Sequence, residues 1–384
     1  MIRRFVLISI TVGISLVLFV TINNESTKHP LPSYRFDNFE EYVNHTSHWL
    51  SNHRYFFSSN HQFELMANSP FEMLPKGDVH GAILLVHGLG DSPFTFRGVA
   101  QSLSKQGFTV RTILLPGHGS QPIDMLQANV KDWYSIIEHH TDLLLKQYDN
   151  VWLGGFSTGA NLVTRQAMLD EDVKGLVLFS PGFKPYSSFV QFSTLTSKIK
   201  TWAIQEKEDN TVRYTSQTFH GGGEYYKSSV AVRRLLESES YTKPVFMALS
   251  EDDTVIDAEY AKLRFSDTFT HPGSKLLWFG ERAPIIQRAS HLSVRSETLK
   301  ISTGSHMFAL FSPANSYYGT RGTFRLCRNG QPEALTAKCK DKKSEVWYSR
   351  FGHVEEGKVH ARLTFNPHYN TMIDNISDFL QSNH

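Results

Sequence analysis

The stretch Val151-Trp152-Leu153-Gly154-Gly155-Phe156-Ser157-Thr158-Gly159-Ala160 decides the fold. Val151 to Phe156 is a short apolar run of the kind a buried parallel strand needs, and Ala160 to Met168 reads as an amphipathic helix. A strand that turns sharply into a helix holds the residue at the bend in a strained, exposed conformation. The glycines flanking Ser157 remove side chains that would clash with neighbouring backbone. G-x-S-x-G alone is short enough to arise by chance, but between this strand and this helix it marks Ser157 as a candidate nucleophile. The competing reading is a glycine-softened turn with a surface serine, and the flanking elements weigh against it.

Outward from this point the pattern repeats. Ala82 to Val86, Phe108 to Leu115, Val173 to Phe179 and Pro244 to Leu249 are further apolar runs of strand length. Trp133, Ile136, Ile137, His140, Leu143 and Leu144 recur at helical spacing, as do Met372, Ile373, Ile376, Phe379 and Leu380 near the C-terminus. Alternating strands and helices predict an α/β chain with a mostly parallel central sheet flanked by helices. Two insertions interrupt it: residues 185–242, rich in aromatic and polar side chains, and residues 311–365, which carry both cysteines. The core is therefore expected over 51–184 and 243–384, with 185–242 lying over Ser157 as a cap.

The loop after the run Ala82 to Val86 reads His87-Gly88-Leu89-Gly90. Ester cleavage builds negative charge on the former carbonyl oxygen, and donors must be aimed at it. In this architecture one donor is the backbone N–H after the nucleophile, here Thr158, and the other comes from the loop after an early strand, here Leu89. His87, just before that loop, is expected to support it rather than act as a base.

His87-Gly88-Leu89-Gly90, Leu115-Pro116-Gly117-His118-Gly119, Asp132-Trp133 and Gly155-Phe156-Ser157-Thr158-Gly159 occur in the order seen in α/β hydrolases of the monoacylglycerol-lipase and carboxylesterase type, a branch that includes serine aminopeptidases. The chain resembles that branch from about residue 80 to 183 and again around 244 to 257, and the resemblance is thin across both insertions. It implies an α/β-hydrolase fold and a triad in the order serine, acid, histidine. A serine hydroxyl needs a base, and the base needs an acid to hold its tautomer. Past the run Pro244 to Leu249 stands Ser250-Glu251-Asp252-Asp253-Thr254-Val255-Ile256-Asp257. The family spacing, a small residue, two spacers, the acid, then an apolar residue three positions on, places the acid at Asp253. Asp252, with Val255, is the alternative register. For the histidine, His306 follows Leu299 to Ser302 as a candidate last strand and precedes Met307 to Leu310. His291 follows Leu276 to Phe279 and is the alternative.

Composition narrows the partners. With 39 basic and 37 acidic residues the net charge is only +2, no basic stripe is built, and a nucleic-acid partner is not expected. No His-Glu-x-x-His or Cys-x-x-Cys spacing suggests a metal, and no cofactor is implied. The N-terminus carries Arg3 and Arg4 and then runs uncharged from Phe5 to Ile22. Eighteen residues at 1.5 Å each span roughly 27 Å, near the thickness of a hydrocarbon core. No Ala-x-Ala cleavage site follows, so residues 1–22 are expected to be an uncleaved signal anchor or transmembrane helix. Positive charge on its N-terminal side places the catalytic domain outside the cytoplasm, periplasmic or extracellular. Residues 23–50, polar and holding Pro30 and Pro32, read as a tether. In an oxidising compartment Cys327 and Cys339, the only two cysteines, are expected to form a disulfide.

The combined expectation is a membrane-tethered serine hydrolase cleaving a small-molecule, lipid-like ester through an acyl-enzyme on Ser157. A peptidase or acyltransferase with the same triad is an alternative, as is a silent hydrolase fold used as a binding module.

Overall fold

The computed structural model describes residues 29–383. The apolar segment 1–22 lies outside the described residues, and among these no helix is long and apolar enough to cross a membrane. In chain order the strands are β1 (Phe71–Met73), β2 (Gly81–Val86), β3 (Phe108–Ile113), β4 (Val151–Phe156), β5 (Gly175–Phe179), β6 (Trp202–Ile204), β7 (Gln217–Thr218), β8 (Val245–Ser250), β9 (Lys275–Phe279), β10 (Ala289–Leu292), β11 (Trp347–Ser349) and β12 (His360–Arg362). Eight of them form one sheet in the order β1-β3-β2-β4-β5-β8-β9-β10. β1 is antiparallel to β3, and every other pair in the sheet is parallel.

Side chains alternate across a strand, so a sheet covered on both faces needs apolar residues at consecutive positions. That is why these strands read as unbroken apolar runs. Leu84, Leu153, Leu178, Met247 and Trp278 pack into the core on one face, and Leu85, Trp152, Val177, Phe246 and Leu277 into the core on the other. The helix Val130–Leu145 buries Trp133, Ile136, Ile137, His140, Leu143 and Leu144 on the first face. The helix Tyr369–Ser382 covers the second, with the Phe379 ring 5.4 Å from Trp152 and 5.8 Å from Phe246.

Residues 185–242 leave the sheet after β5 and return at β8. They hold the antiparallel pair β6–β7 and the helix Phe219–Ser238, whose Thr218 cap accepts from Gly221 N. This helix is docked on the helix Thr158–Leu169, where Asn161 Nδ2 donates to Ser228 Oγ at 3.2 Å, and Ser229 Oγ donates to the Phe183 carbonyl. In the late insertion the helix Glu333–Lys340 packs against the parallel pair β11–β12, and the Cys327–Cys339 disulfide sits in a small core with Val346, Val359 and Ala361.

Three expectations need correction. The tether does not run to residue 50, because Phe39–His53 is a helix, capped by Asn38 accepting from Glu41 N. It buries Phe39, Tyr42, Thr46, Trp49 and Leu50, and the Tyr42 hydroxyl accepts from Leu114 N at 3.0 Å. Leu299 to Ser302 is not a strand of the sheet: Ile301 makes only isolated bridges, and the sheet ends at β10, which contains His291. The late insertion is also shorter than 311–365, since Phe311, Tyr317, Tyr318, Leu363 and Phe365 belong to the core on the second face.

If the helix Phe39–His53 is part of the domain, Tyr42→Ala will lower unfolding free energy by about 3 kcal/mol or more, the cost of emptying a buried aromatic site. Urea denaturation followed by tryptophan fluorescence checks this; a residue on a loose tether would leave the midpoint unchanged.

Candidate active site

The C-terminal ends of the parallel strands bring the singled-out residues to one edge of the sheet. The loop His87–Gly90 follows β2, Ser157 follows β4, and Asp253 follows β8. Crevices beyond the carboxyl ends of strands are where open α/β sheets bind ligands.

Ser157 has φ 52° and ψ −113°, a conformation that costs a non-glycine residue on the order of 1–3 kcal/mol. It is held there from both sides: Ser157 N donates to Phe179 O at 3.1 Å, and Gly182 N donates to Ser157 O at 2.9 Å. The turn is tight enough to require both flanking glycines. A Cβ on Gly155 would lie 2.5 Å from Ala160 N, and one on Gly159 would collide with the carbonyl oxygens of Val86 and His87.

Asp253 and His306 meet. His306 Nδ1 lies 2.6 Å from Asp253 Oδ2, and the Asp253 side chain is fully buried. The other oxygen, Asp253 Oδ1, accepts from Val255 N at 2.8 Å and Ile256 N at 3.0 Å. The carboxylate is thus fixed by two amides and presents one oxygen to the ring. The His306 backbone carbonyl accepts from Ser180 Oγ at 3.0 Å, and Ser305 Oγ donates to Leu363 O. The alternatives lie elsewhere. His291 is exposed on the edge strand β10, where Nε2 lies 2.9 Å from Gly280 O. Asp252 accepts from Gly304 N at 3.0 Å, so it braces the loop that carries His306; burial pushes its carboxyl above the ordinary value.

Ser157, Thr158, Leu89 and His306 line one cavity of about 250 Å³, closed by Phe156, Val190, Ala203, Tyr225, Val255 and Met307. Of the aromatics in residues 185–242, Tyr225 lines it, whereas Tyr186, Phe189 and Phe192 face solvent, Phe189 being 79% exposed. The histidines of the early loops do not reach this cavity but fix its wall. His87 Nε2 accepts from Leu115 N at 3.1 Å, leaving Nδ1–H for Gly88 O at 2.8 Å. His118 Nε2 accepts from Gly90 N at 3.0 Å, leaving Nδ1–H for Leu115 O. Each ring must be neutral to accept from an amide. Burial holds His118 down to about 4 and His87 well below its ordinary value, with the neighbouring His118 adding to the effect at His87.

Sequence reasoning did not single out Asp91, Arg213 or Arg362, which also line the cavity. Arg213 lies in the cap and Arg362 on β12, inside the insertions where the resemblance is thin, so no motif pointed to them. Away from the cavity, His353, Glu355 and His360 bring ligand-type atoms within 4.8 Å of one another. Glu355 Oε2 is engaged there by Ser302 Oγ at 2.7 Å and Lys358 Nζ at 3.2 Å.

With a serine hydroxyl on a strained bend and a carboxylate-held imidazole on the same cavity, the arrangement can take a proton from an attacking oxygen and return it to a leaving group. Parts of the chain are similar to known proteins. Residues 77–220 match the family model described as serine aminopeptidase, S33. A thermostable monoacylglycerol lipase from Bacillus sp. (strain H-257) is 32% identical over 95 residues, covering 25% of this chain and 38% of that enzyme. A carboxylesterase from Bacillus subtilis (strain 168) is 20% identical over 215 residues, covering 53% of this chain and 85% of that one. Among solved structures, one reported for LipS and LipT, two metagenome-derived lipolytic enzymes, aligns with a TM-score of 0.49 at 20% identity, over 55% of this chain and 86% of its own. The sheet and helices have the arrangement of an α/β-hydrolase, and over residues 77–220, less than half of its length, the chain is similar to the serine aminopeptidase S33 family.

The neutral histidines make the domain acid-labile. The unfolded chain takes up a proton on each near pH 6.5, whereas the folded chain does so at His118 only near 4. Stability is therefore full above about pH 6.5 and falls as the pH drops from there toward 4, by up to about 1.4 kcal/mol per unit for each such ring. Urea midpoints measured between pH 7 and 5 will show this decline. His118→Gln, whose amide can take part in the same hydrogen bonds without titrating, will make the decline shallower by that ring's share and leave the part due to His87.

Proposed function

We propose that this protein is a serine hydrolase of carboxylic esters, acting through an acyl-enzyme on Ser157. His306 is the general base and acid, Asp253 orients it, and the backbone N–H groups of Leu89 and Thr158 form the oxyanion hole. The observation that carries the reading is the 2.6 Å contact between His306 Nδ1 and the fully buried Asp253 carboxylate, on the cavity that also holds the strained Ser157. In the first step His306 Nε2 takes the Ser157 proton as Oγ attacks the ester carbonyl, and the imidazolium is stabilised by Asp253. The oxyanion is met by donors at the N-terminus of the helix Thr158–Leu169 and in the loop after β2. Collapse expels the alcohol, which receives the proton from His306; water then repeats the sequence and frees the acid. The similar lipase and esterase support a lipid-like ester, and a cavity of about 250 Å³ fits a short or medium acyl chain.

The proposal places the domain outside the cytoplasm, held to a membrane by residues 1–22. Support comes from Arg3 and Arg4 before the uncharged run Phe5 to Ile22, and from the Cys327–Cys339 disulfide, a bond favoured in oxidising compartments.

A fluorophosphonate probe tests the chemistry: it will label the wild type and not Ser157→Ala, and labelling that persists in the mutant contradicts the proposal. Against p-nitrophenyl butyrate, Asp253→Asn and His306→Ala will lose about 10³-fold or more in kcat, whereas His291→Ala will stay near wild type. Deleting residues 1–28 will move the active protein from the membrane to the soluble fraction of a lysate; an unchanged distribution contradicts the anchor.

A further inference from the structure

An acyl chain needs no cation, yet the cavity around Ser157 is lined by two arginines, Arg213 from the cap and Arg362 from β12. A guanidinium withdrawn from water is costly unless an anion compensates it. Arg213 is compensated: its Nε lies 3.3 Å from Asp91 Oδ1, and Asp91 is buried. Glu208 lies close enough to act on Arg213 as well.

Arg362 is different. Its Nη2 donates to the Arg328 carbonyl at 3.0 Å, the Phe351 ring lies 5.0 Å from its Cζ, and its Nε is buried without a hydrogen-bond partner. Among the described residues no carboxylate is within ion-pair distance of it. Burial, with Arg213 beside it, holds Arg362 down to about 10, which leaves it charged at neutral pH.

A second cavity of about 590 Å³, between the cap and the disulfide-bearing insertion, shares Arg213, Gln217 and Arg362 with the first. The two arginines therefore stand where the cavities adjoin. The second cavity's other cations are matched: Arg328 pairs with Glu206 at 2.7 Å and Lys340 with Asp209 at 3.2 Å. Across both cavities, among the described residues, Arg362 is the cation left without an anion.

We propose that Arg362, assisted by Arg213, binds a single anionic oxygen group carried by the ester, a carboxylate or a phosphodiester, where the two cavities adjoin. The planar fork of a guanidinium suits such a group and supplies charge-assisted hydrogen bonds. This inference rests on the reading of Ser157 as an ester-cleaving nucleophile and narrows its substrate from lipid-like esters in general to acidic ones.

The test compares wild-type hydrolysis of two matched pairs by pH-stat titration, methyl hexanoate with monomethyl adipate and 1-hexanoylglycerol with 1-hexanoyl-glycerophosphoglycerol. One anionic ester is expected to exceed its neutral counterpart by about 10- to 100-fold in kcat/KM, mainly through KM, and which of them does so distinguishes carboxylate from phosphodiester. In Arg362→Met that ratio will collapse toward one, and Arg362→Lys, which keeps the charge without the fork, will restore part of it. Wild type cleaving each neutral ester as well as its anionic counterpart overturns the inference, as does a ratio preserved in Arg362→Met. Should that variant misfold, the wild-type ratio decides alone. Turnover of the neutral esters without an anionic preference removes only this inference. Failure to cleave any ester, with no fluorophosphonate labelling, removes the Ser157 reading and this one together.

Discussion

The bend at Ser157 is the constraint on which the rest of the site depends. Its left-handed backbone is unfavourable in itself and persists because β2, β5 and the helix Thr158–Leu169 leave the chain no other path. A Cβ on Gly159 would meet the carbonyls at the end of β2, so the nucleophile turn and the loop His87–Gly90 are packed directly against one another.

Around this bend the polar groups are held by other polar groups rather than by packing alone. Two amides and one imidazole fix Asp253; Asp252 braces the loop two residues before His306; two neutral histidines fix the loops after β2 and β3. A site whose geometry must hold through proton transfers needs such support, because rotamers locked by hydrogen bonds lose little entropy at the moment of reaction. The same arrangement makes the site sensitive to acid, since each neutral ring carries a hydrogen bond that its protonated form cannot accept.

Much of this was legible in the sequence, for physical reasons. Strands covered on both faces must be apolar throughout, so β2, β4, β5 and β8 announced themselves, and the glycines around Ser157 are dictated by contacts within the turn. The choice between Asp253 and Asp252, or between His306 and His291, was not legible in the same way. Both acids and both histidines follow apolar runs, and what separates them is the direction imposed by the turn after β8 and by β10 ending the sheet. The helix Phe39–His53 was hidden by its polar flanks and by Pro30 and Pro32, although Phe39, Tyr42, Thr46, Trp49 and Leu50 already had helical spacing. Arg213 and Arg362 lie in the insertions, where only tertiary structure brings them to the cavity.

The central claim, that Ser157 carries the acyl group, is tested most directly by rapid mixing with p-nitrophenyl butyrate, followed by acid quench and peptide mass spectrometry. The account predicts a burst of nitrophenol close to one equivalent per active enzyme where deacylation limits turnover, and a butyryl mass on the peptide containing Ser157. Ester turnover with the butyryl mass on a different residue would contradict it.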